Sequence, residues 1–187
     1  MDNKLKIINY LGRNIGQAFS LHELSKAISI PYATFYRTVL EMGGLVAIKP
    51  VGRAKTIMLN LDNASIKSYL AVSSEEHKKE FLEKQPLIRK IVSEMQTKEI
   101  VLLFGSYAKE VQRGSSDIDI MVINRDGKRA LSFSKYEALF KVKINPLFVS
   151  IREFRQMLKE KDENVGKQAL KYHVVLNNPE GFWRCVL

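Results

Sequence analysis

Asp117 and Asp119 stand two residues apart in the run Ser116-Asp117-Ile118-Asp119-Ile120, and ten residues separate Asp117 from Gly105-Ser106. Successive side chains on a strand point to opposite faces, so positions i and i+2 share one. Both carboxylates then face one way, while Ile118, Ile120 and Val122 turn into a core. Aspartate is depleted in strands, so a pair framed by isoleucines asks for a chemical reason. Val101 to Phe104 is a short apolar run that reads as a buried strand ended by Gly105. Gly105 lets the backbone approach a ligand closely. Ser106 adds an amide and a hydroxyl at the start of a short helix, where free N–H groups and the dipole favour phosphate. A phosphate-binding turn beside two co-facial carboxylates suits a Mg²⁺ (or Mn²⁺) nucleotide site, because Mg²⁺ binds through one or two carboxylates plus substrate phosphates.

The elements that position these residues can be followed along the chain. Glu99 to Phe104 and Asp117 to Ile123 read as two strands, and Asp126-Gly127 as a turn. A helix is expected over 129–141 and a third strand over Lys143 to Ser150. Ser150 with Glu153 forms a capping box for a helix to about Glu160. A further helix spans Glu163 to Lys171, a short strand His173 to Asn177, and a last helical turn carries Phe182 and Trp183, with Trp183 expected in the core. Ahead of this region, residues 63–97 read as a charged helical connector divided by Pro86. At the N-terminus, helical spacing covers Asn3 to Leu11 and stops at Gly12. Ser20 and Glu23 make a second capping box, and a third helix runs from Tyr32 to Met42 with Phe35, Val39 and Met42 inward. Leu45 to Lys49 and Thr56 to Leu61 read as strands joined by the basic turn Pro50 to Lys55.

Composition sets limits on the class of protein. A chain of 187 residues with 45% hydrophobic residues can build a proper core. It carries a net charge of +10, and residues 1–60 hold 8 basic against 3 acidic side chains, the most basic third. Such a balance suits nucleic acid or another polyanion. There is no apolar run long enough for a bilayer and no charged-then-apolar leader, so no membrane association is expected. The single Cys185 cannot close an internal disulfide, which fits a cytoplasmic location. His22, His77 and His173 are scattered and show no metal-ligand spacing.

The Gly105-Ser106 turn followed by Asp117-Ile118-Asp119 resembles the signature of the polymerase-β-type nucleotidyltransferase superfamily, and within it the small minimal nucleotidyltransferases. The resemblance covers the last half of the chain. It implies a mixed sheet flanked by helices over 98–187, with a nucleoside triphosphate at Gly105 and Ser106, and Lys109 within reach of phosphate. Asp117 and Asp119 would be the catalytic metal ligands. It also implies transfer of a nucleoside monophosphate to an acceptor hydroxyl, and it makes a protein acceptor plausible, as in toxin–antitoxin pairs with a HEPN-type toxin. The family's third carboxylate lies on the next central strand, where this chain offers Asn145, neutral and a poor base. Either the acceptor is activated by metal alone, or another acid such as Glu137 or Glu163 reaches in, or transfer is lost or weakened and the domain is a catalytically degenerate nucleotide sensor or dimerisation module.

Residues 1–62, three helices and a basic hairpin, resemble the winged helix-turn-helix DNA-binding family. The overall class is thus α+β: winged helix-turn-helix, helical connector, nucleotidyltransferase fold. In the winged family the third helix enters the major groove and the wing touches the backbone. Carried over, Tyr32, Thr34 and Arg37 would face the groove of double-stranded DNA, and Arg53 and Lys55 its phosphates. The same module also serves protein contacts or homodimer formation.

Overall fold

The computed structural model describes every residue except Arg53 and Ser115. The chain divides into two compact units, Met1–Glu76 and His77–Leu187.

The first unit starts with α1 (Asn3–Arg13), where the Asp2 carboxylate accepts the Leu5 N–H at 2.8 Å. Its inner face buries Ile7, Ile8 and Leu11. Gly12 does not stop the helix as expected. It is buried inside the last turn, and the end falls at Asn14, whose side chain donates to the Tyr10 carbonyl. A glycine inside a helix costs only about 1 kcal/mol, which packing readily offsets. Two residues, β1 (Phe19–Ser20), then lead into α2 (Leu21–Ala27), and the Ser20–Glu23 capping box is formed in both directions. Helix α3 (Tyr32–Glu41) buries Phe35 and Val39. Strands β2 (Val46–Val51) and β3 (Ala54–Leu59) pair antiparallel from Val46↔Leu59 to Val51↔Ala54, and β1 adds to β3, giving the order β1-β3-β2. The pairing reaches further into the basic turn than the apolar pattern suggests. Pro50 is accommodated because β2 is an edge strand, where a missing donor costs no ladder bond.

Helix α4 (Ile66–Lys84) contains the division between the units, and α5 (Pro86–Glu94) begins at Pro86 in its first helical position. Pro86 therefore starts a new helix, where its fixed φ and missing N–H cost nothing.

The second unit is built on a four-stranded sheet of order β6-β5-β4-β7. Its strands are β4 (Ile100–Phe104), β5 (Ile118–Asn124), β6 (Ile144–Ser150) and β7 (Val174–Asn177). Strand β4 runs antiparallel to β5 and β7, and β5 parallel to β6, so the sheet is mixed. The single-turn α6 (Gly105–Ala108) follows β4 directly. Ile118, Ile120 and Val122 join Val101, Leu103 and Val174 in a core closed by Ile88 and Ile91 of α5 and by Phe81 of α4. Helix α7 (Ser134–Phe140) begins later than the expected 129–141, because Phe133, buried in that core, ends the approach segment in a non-helical conformation. The capping box at Ser150 opens α8 (Ile151–Lys159), and α9 (Val165–Lys171) and α10 (Pro179–Val186) follow. Trp183 and Phe182 are fully buried, with ring centroids 4.9 Å apart. Trp183 is thus a core residue, as expected. Among the described residues no helix is long and apolar enough to cross a membrane.

Candidate functional site

Strand register brings the chemistry-bearing residues together. Phe104, the last residue of β4, pairs with Asp119 across the antiparallel ladder. The chain then turns at Gly105, whose φ is +71°. A Cβ at Gly105 would overlap the Asp119 carboxylate and stand 3.0 Å from its Cγ. Gly105 thus serves twice: it takes the left-handed conformation without strain, and it leaves the space in which Asp119 lies. On the other side, Asp119 is level with Asn145 in the parallel β5–β6 ladder. Asn145 Nδ2 donates to Asp117 Oδ2 at 3.1 Å and to Asp119 Oδ1 at 3.4 Å. One amide therefore bridges both carboxylates, as the i, i+2 spacing requires.

Lys143 adds a charge that sequence reasoning did not single out. Its Nζ donates to Asp117 Oδ2 at 2.8 Å, and its carbonyl accepts the Ile118 N–H at 2.9 Å. The Lys143 ammonium, and after it the Asn145 amide, hold the Asp117 carboxyl below the usual carboxylate range. Asp117 in turn raises Lys143. Neither acid named as a substitute for the third carboxylate joins the pair. Glu137 accepts the Ile144 N–H at 3.0 Å and so fixes the start of β6, while Glu163 is exposed ahead of α9. Among the described residues no three His, Cys, Asp or Glu side chains converge on one point. The cluster is two carboxylates with one ammonium and one amide.

A nucleotidyltransferase domain family model matches residues 86–184, more than half of the chain. The chain belongs to the nucleotidyltransferase family. Comparison with curated proteins and with solved structures finds no match. The matched span begins at Pro86, so it takes in α5, the C-terminal part of the 63–97 connector. Packing of Ile88 and Ile91 under the sheet is the physical counterpart of that boundary.

Within this nucleotidyltransferase domain, Ser106 sits in α6 immediately after Gly105. Lys109 is engaged elsewhere: its ammonium lies 4.6 Å over the Tyr172 ring. In the first unit, Thr34 and Arg37 are exposed on α3, and Tyr32 is 46% exposed and stacks on Tyr36 with centroids 6.1 Å apart. Lys55 is exposed near the tip of the hairpin, beside a groove of about 450 Å³ that Tyr32 and Tyr36 also line. Arg53 lies outside the described residues.

The Gly105 geometry gives a first expected result. Gly105→Ala should destabilise the fold by about 1–2 kcal/mol from the left-handed backbone alone. It should also displace the Asp119 carboxylate, so nucleotide binding should fall more than stability. Denaturant unfolding and nucleotide titration on the same protein would show this. Equal binding in the variant would mean that Asp119 has no role in it.

Proposed function

We propose that the chain is a Mg²⁺-dependent nucleotidyltransferase that moves a nucleoside monophosphate from a nucleoside triphosphate to an acceptor hydroxyl, joined to a DNA-binding unit. The observation that carries this is the pair Asp117 and Asp119 held side by side against the Gly105 turn. Two carboxylates and a turn able to take phosphate fit one Mg²⁺ or Mn²⁺ ion arriving with a triphosphate. They do not fit a pair of ions, because the third ligand position holds a neutral amide and the adjacent Lys143 is a cation.

When bound, the ion supplies charge neutralisation on the triphosphate. The chain's own residues do the rest. Asp117 and Asp119 would hold the ion, Gly105 and Ser106 would seat phosphate oxygens, and the Asn145 amide bridges the two carboxylates. The acceptor oxygen forms a bond to the α-phosphorus, the bond from that phosphorus to the bridging oxygen breaks, and pyrophosphate leaves. Among the described residues no third carboxylate joins Asp117 and Asp119, and the hydroxyl proton passes to solvent. The acceptor class we favour is a protein hydroxyl, in line with the resemblance to toxin-modifying minimal nucleotidyltransferases. Incubation with labelled ATP, GTP, CTP and UTP, Mg²⁺ and cell extract tests it. Label should pass to a macromolecule with wild type and not with Asp117→Asn.

A DNA-binding regulator with a catalytically degenerate nucleotide site is the alternative that Asn145 and Lys143 favour, since Asn145 stands where the resemblance implies a third acid and both side chains donate to Asp117. Nucleotide binding without transfer in the same assay would select it.

For the first unit, the support is three helices followed by an antiparallel hairpin, with Tyr32, Thr34, Arg37 and Lys55 exposed on α3 and the hairpin. This matches a winged helix-turn-helix that places α3 in the major groove of double-stranded DNA. Arg37→Ala should weaken duplex binding about tenfold, and wild-type affinity should fall steeply with salt. Fluorescence anisotropy on duplex DNA at several salt concentrations is the measurement, and salt-insensitive binding would contradict the assignment.

A further inference from the structure

A second surface of the C-terminal unit carries cations that the carboxylate site does not use. Arg125 follows the far end of β5, six residues beyond Asp119 and so roughly 20 Å along the strand. Asn124 is level with Ser150 in the parallel ladder, so α8 starts at the same end of the sheet. On α8, Arg152, Arg155, Gln156 and Lys159 fall at i, i+3, i+4 and i+7, one stripe of the helix, and all four are exposed. With Arg125 they line a groove of about 580 Å³. Two further hollows, of about 350 and 360 Å³, adjoin it, and Arg155 borders both. Arg155 is fixed at this junction, its Nε donating to the Cys185 carbonyl and its Nη2 to the Arg184 carbonyl, each at 2.9 Å.

Among the described residues, Arg125, Arg152, Arg155 and Lys159 form no ion pair. Two acids of this segment are engaged elsewhere: Glu153 accepts the Ser150 N–H at 2.7 Å, and Glu160 accepts from Asn164 Nδ2 at 2.9 Å. Four positive charges thus line the main groove with no acid among its lining residues, and the acid on the adjoining hollow of about 350 Å³ is Glu99, beside Arg125, Arg155 and Arg184.

We infer that this furrow binds the phosphate backbone of a single-stranded nucleic acid. Cations on successive helical turns, about 5.4 Å apart, form a line that suits a chain of phosphates better than a compact anion. Adjoining hollows that share Arg155 make an elongated, concave path, which a flexible strand can follow and a stiff duplex cannot. Arginine supplies three of the four cations, and its planar fork suits phosphate oxygens. No aromatic side chain lines the main groove, so the contacts go to backbone and not to stacked bases, and binding should be sequence-tolerant and salt-sensitive.

The test uses the full chain and labelled oligo-dT and oligo-rU of about 20 nucleotides, with a duplex and a poly-glutamate peptide as competitors. The triple variant Arg125→Ala/Arg152→Ala/Lys159→Ala spares Arg155, which braces α10, and Arg152→Gln/Lys159→Gln is a milder second variant. Loss of three phosphate contacts should flatten the slope of log K against log salt by about 2, and the double variant should show a proportionate change. Asp119→Asn and Arg37→Ala should leave single-strand binding as it is, which separates this surface from the nucleotide site and from the duplex-binding face. Failure of wild type to bind either oligonucleotide would overturn the inference. So would strand binding unchanged in both groove variants, or wild-type binding displaced by poly-glutamate or duplex alone.

Discussion

Asp119→Asn is expected to abolish Mg²⁺-dependent transfer, with a loss of about 10²–10³-fold, the rate equivalent of the several kcal/mol a bound metal contributes. The substitution keeps size and planarity and removes one charge. Asp119 is only half-buried, and its carboxylate is not paired with a cation in the structure, so the fold should be unaffected. The expected signature is therefore unchanged thermal unfolding, lost nucleotide binding in the presence of metal, and no residual metal dependence. Asp117→Asn should be less clean, because it also removes the counter-charge from the 2.8 Å contact with the Lys143 ammonium.

The second large effect is a gain. Asn145→Asp combined with Lys143→Ala should tighten divalent-metal binding about 10- to 100-fold. The side chains at the site now sum to one negative charge, from Asp117, Asp119 and Lys143. The double change brings the sum to three. The site is open to solvent, so each charge acts at the weak, high-dielectric and salt-screened end of the scale, which keeps the gain from two added charges to about one or two orders of magnitude. Titration with Mn²⁺ would read the change directly. If transfer rises along with affinity, the wild-type chain is an enzyme held back by its third position.

The same pair sets a pH dependence. Lys143 holds Asp117 below the ordinary carboxylate range, with Asn145 adding to it. A depressed folded-state pKa contributes stability that is present above the unfolded value and lost as pH falls through the lowered one. Wild type should therefore keep Asp117 ionised, and the site competent, further into acid than Lys143→Ala does. The acid limb of nucleotide binding should move to higher pH in that variant. An unmoved limb would mean that the Lys143 contact does not persist in solution.

Much of this site was legible in the sequence, for local reasons. Gly105-Ser106 and the Asp117/Asp119 alternation work through neighbours in the chain, and so do the capping boxes at Ser20–Glu23 and Ser150–Glu153, all of which the structure forms. Asn145 was also placed correctly opposite the aspartates, because the strand around it could be recognised and its position counted. Lys143 was missed. Its partner is 26 residues away, and a lysine at the start of a strand looks like any solvated lysine until the register is known. Strand β1 was missed for the same reason: two residues carry no periodic signal, and Phe19 finds Ile57 only through the fold. Gly12 misled because a stop signal competes with burial, and here burial won.

The most direct measurement is isothermal titration of the full chain with each of the four nucleoside triphosphates, with and without Mg²⁺, in wild type and Asp119→Asn. Saturable binding of at least one triphosphate, dependent on the ion and lost in Asp119→Asn while Lys109→Ala retains it, is the expected result. Binding that ignores both the ion and Asp119, or no binding of any triphosphate, would contradict a metal–nucleotide site at Gly105, Asp117 and Asp119.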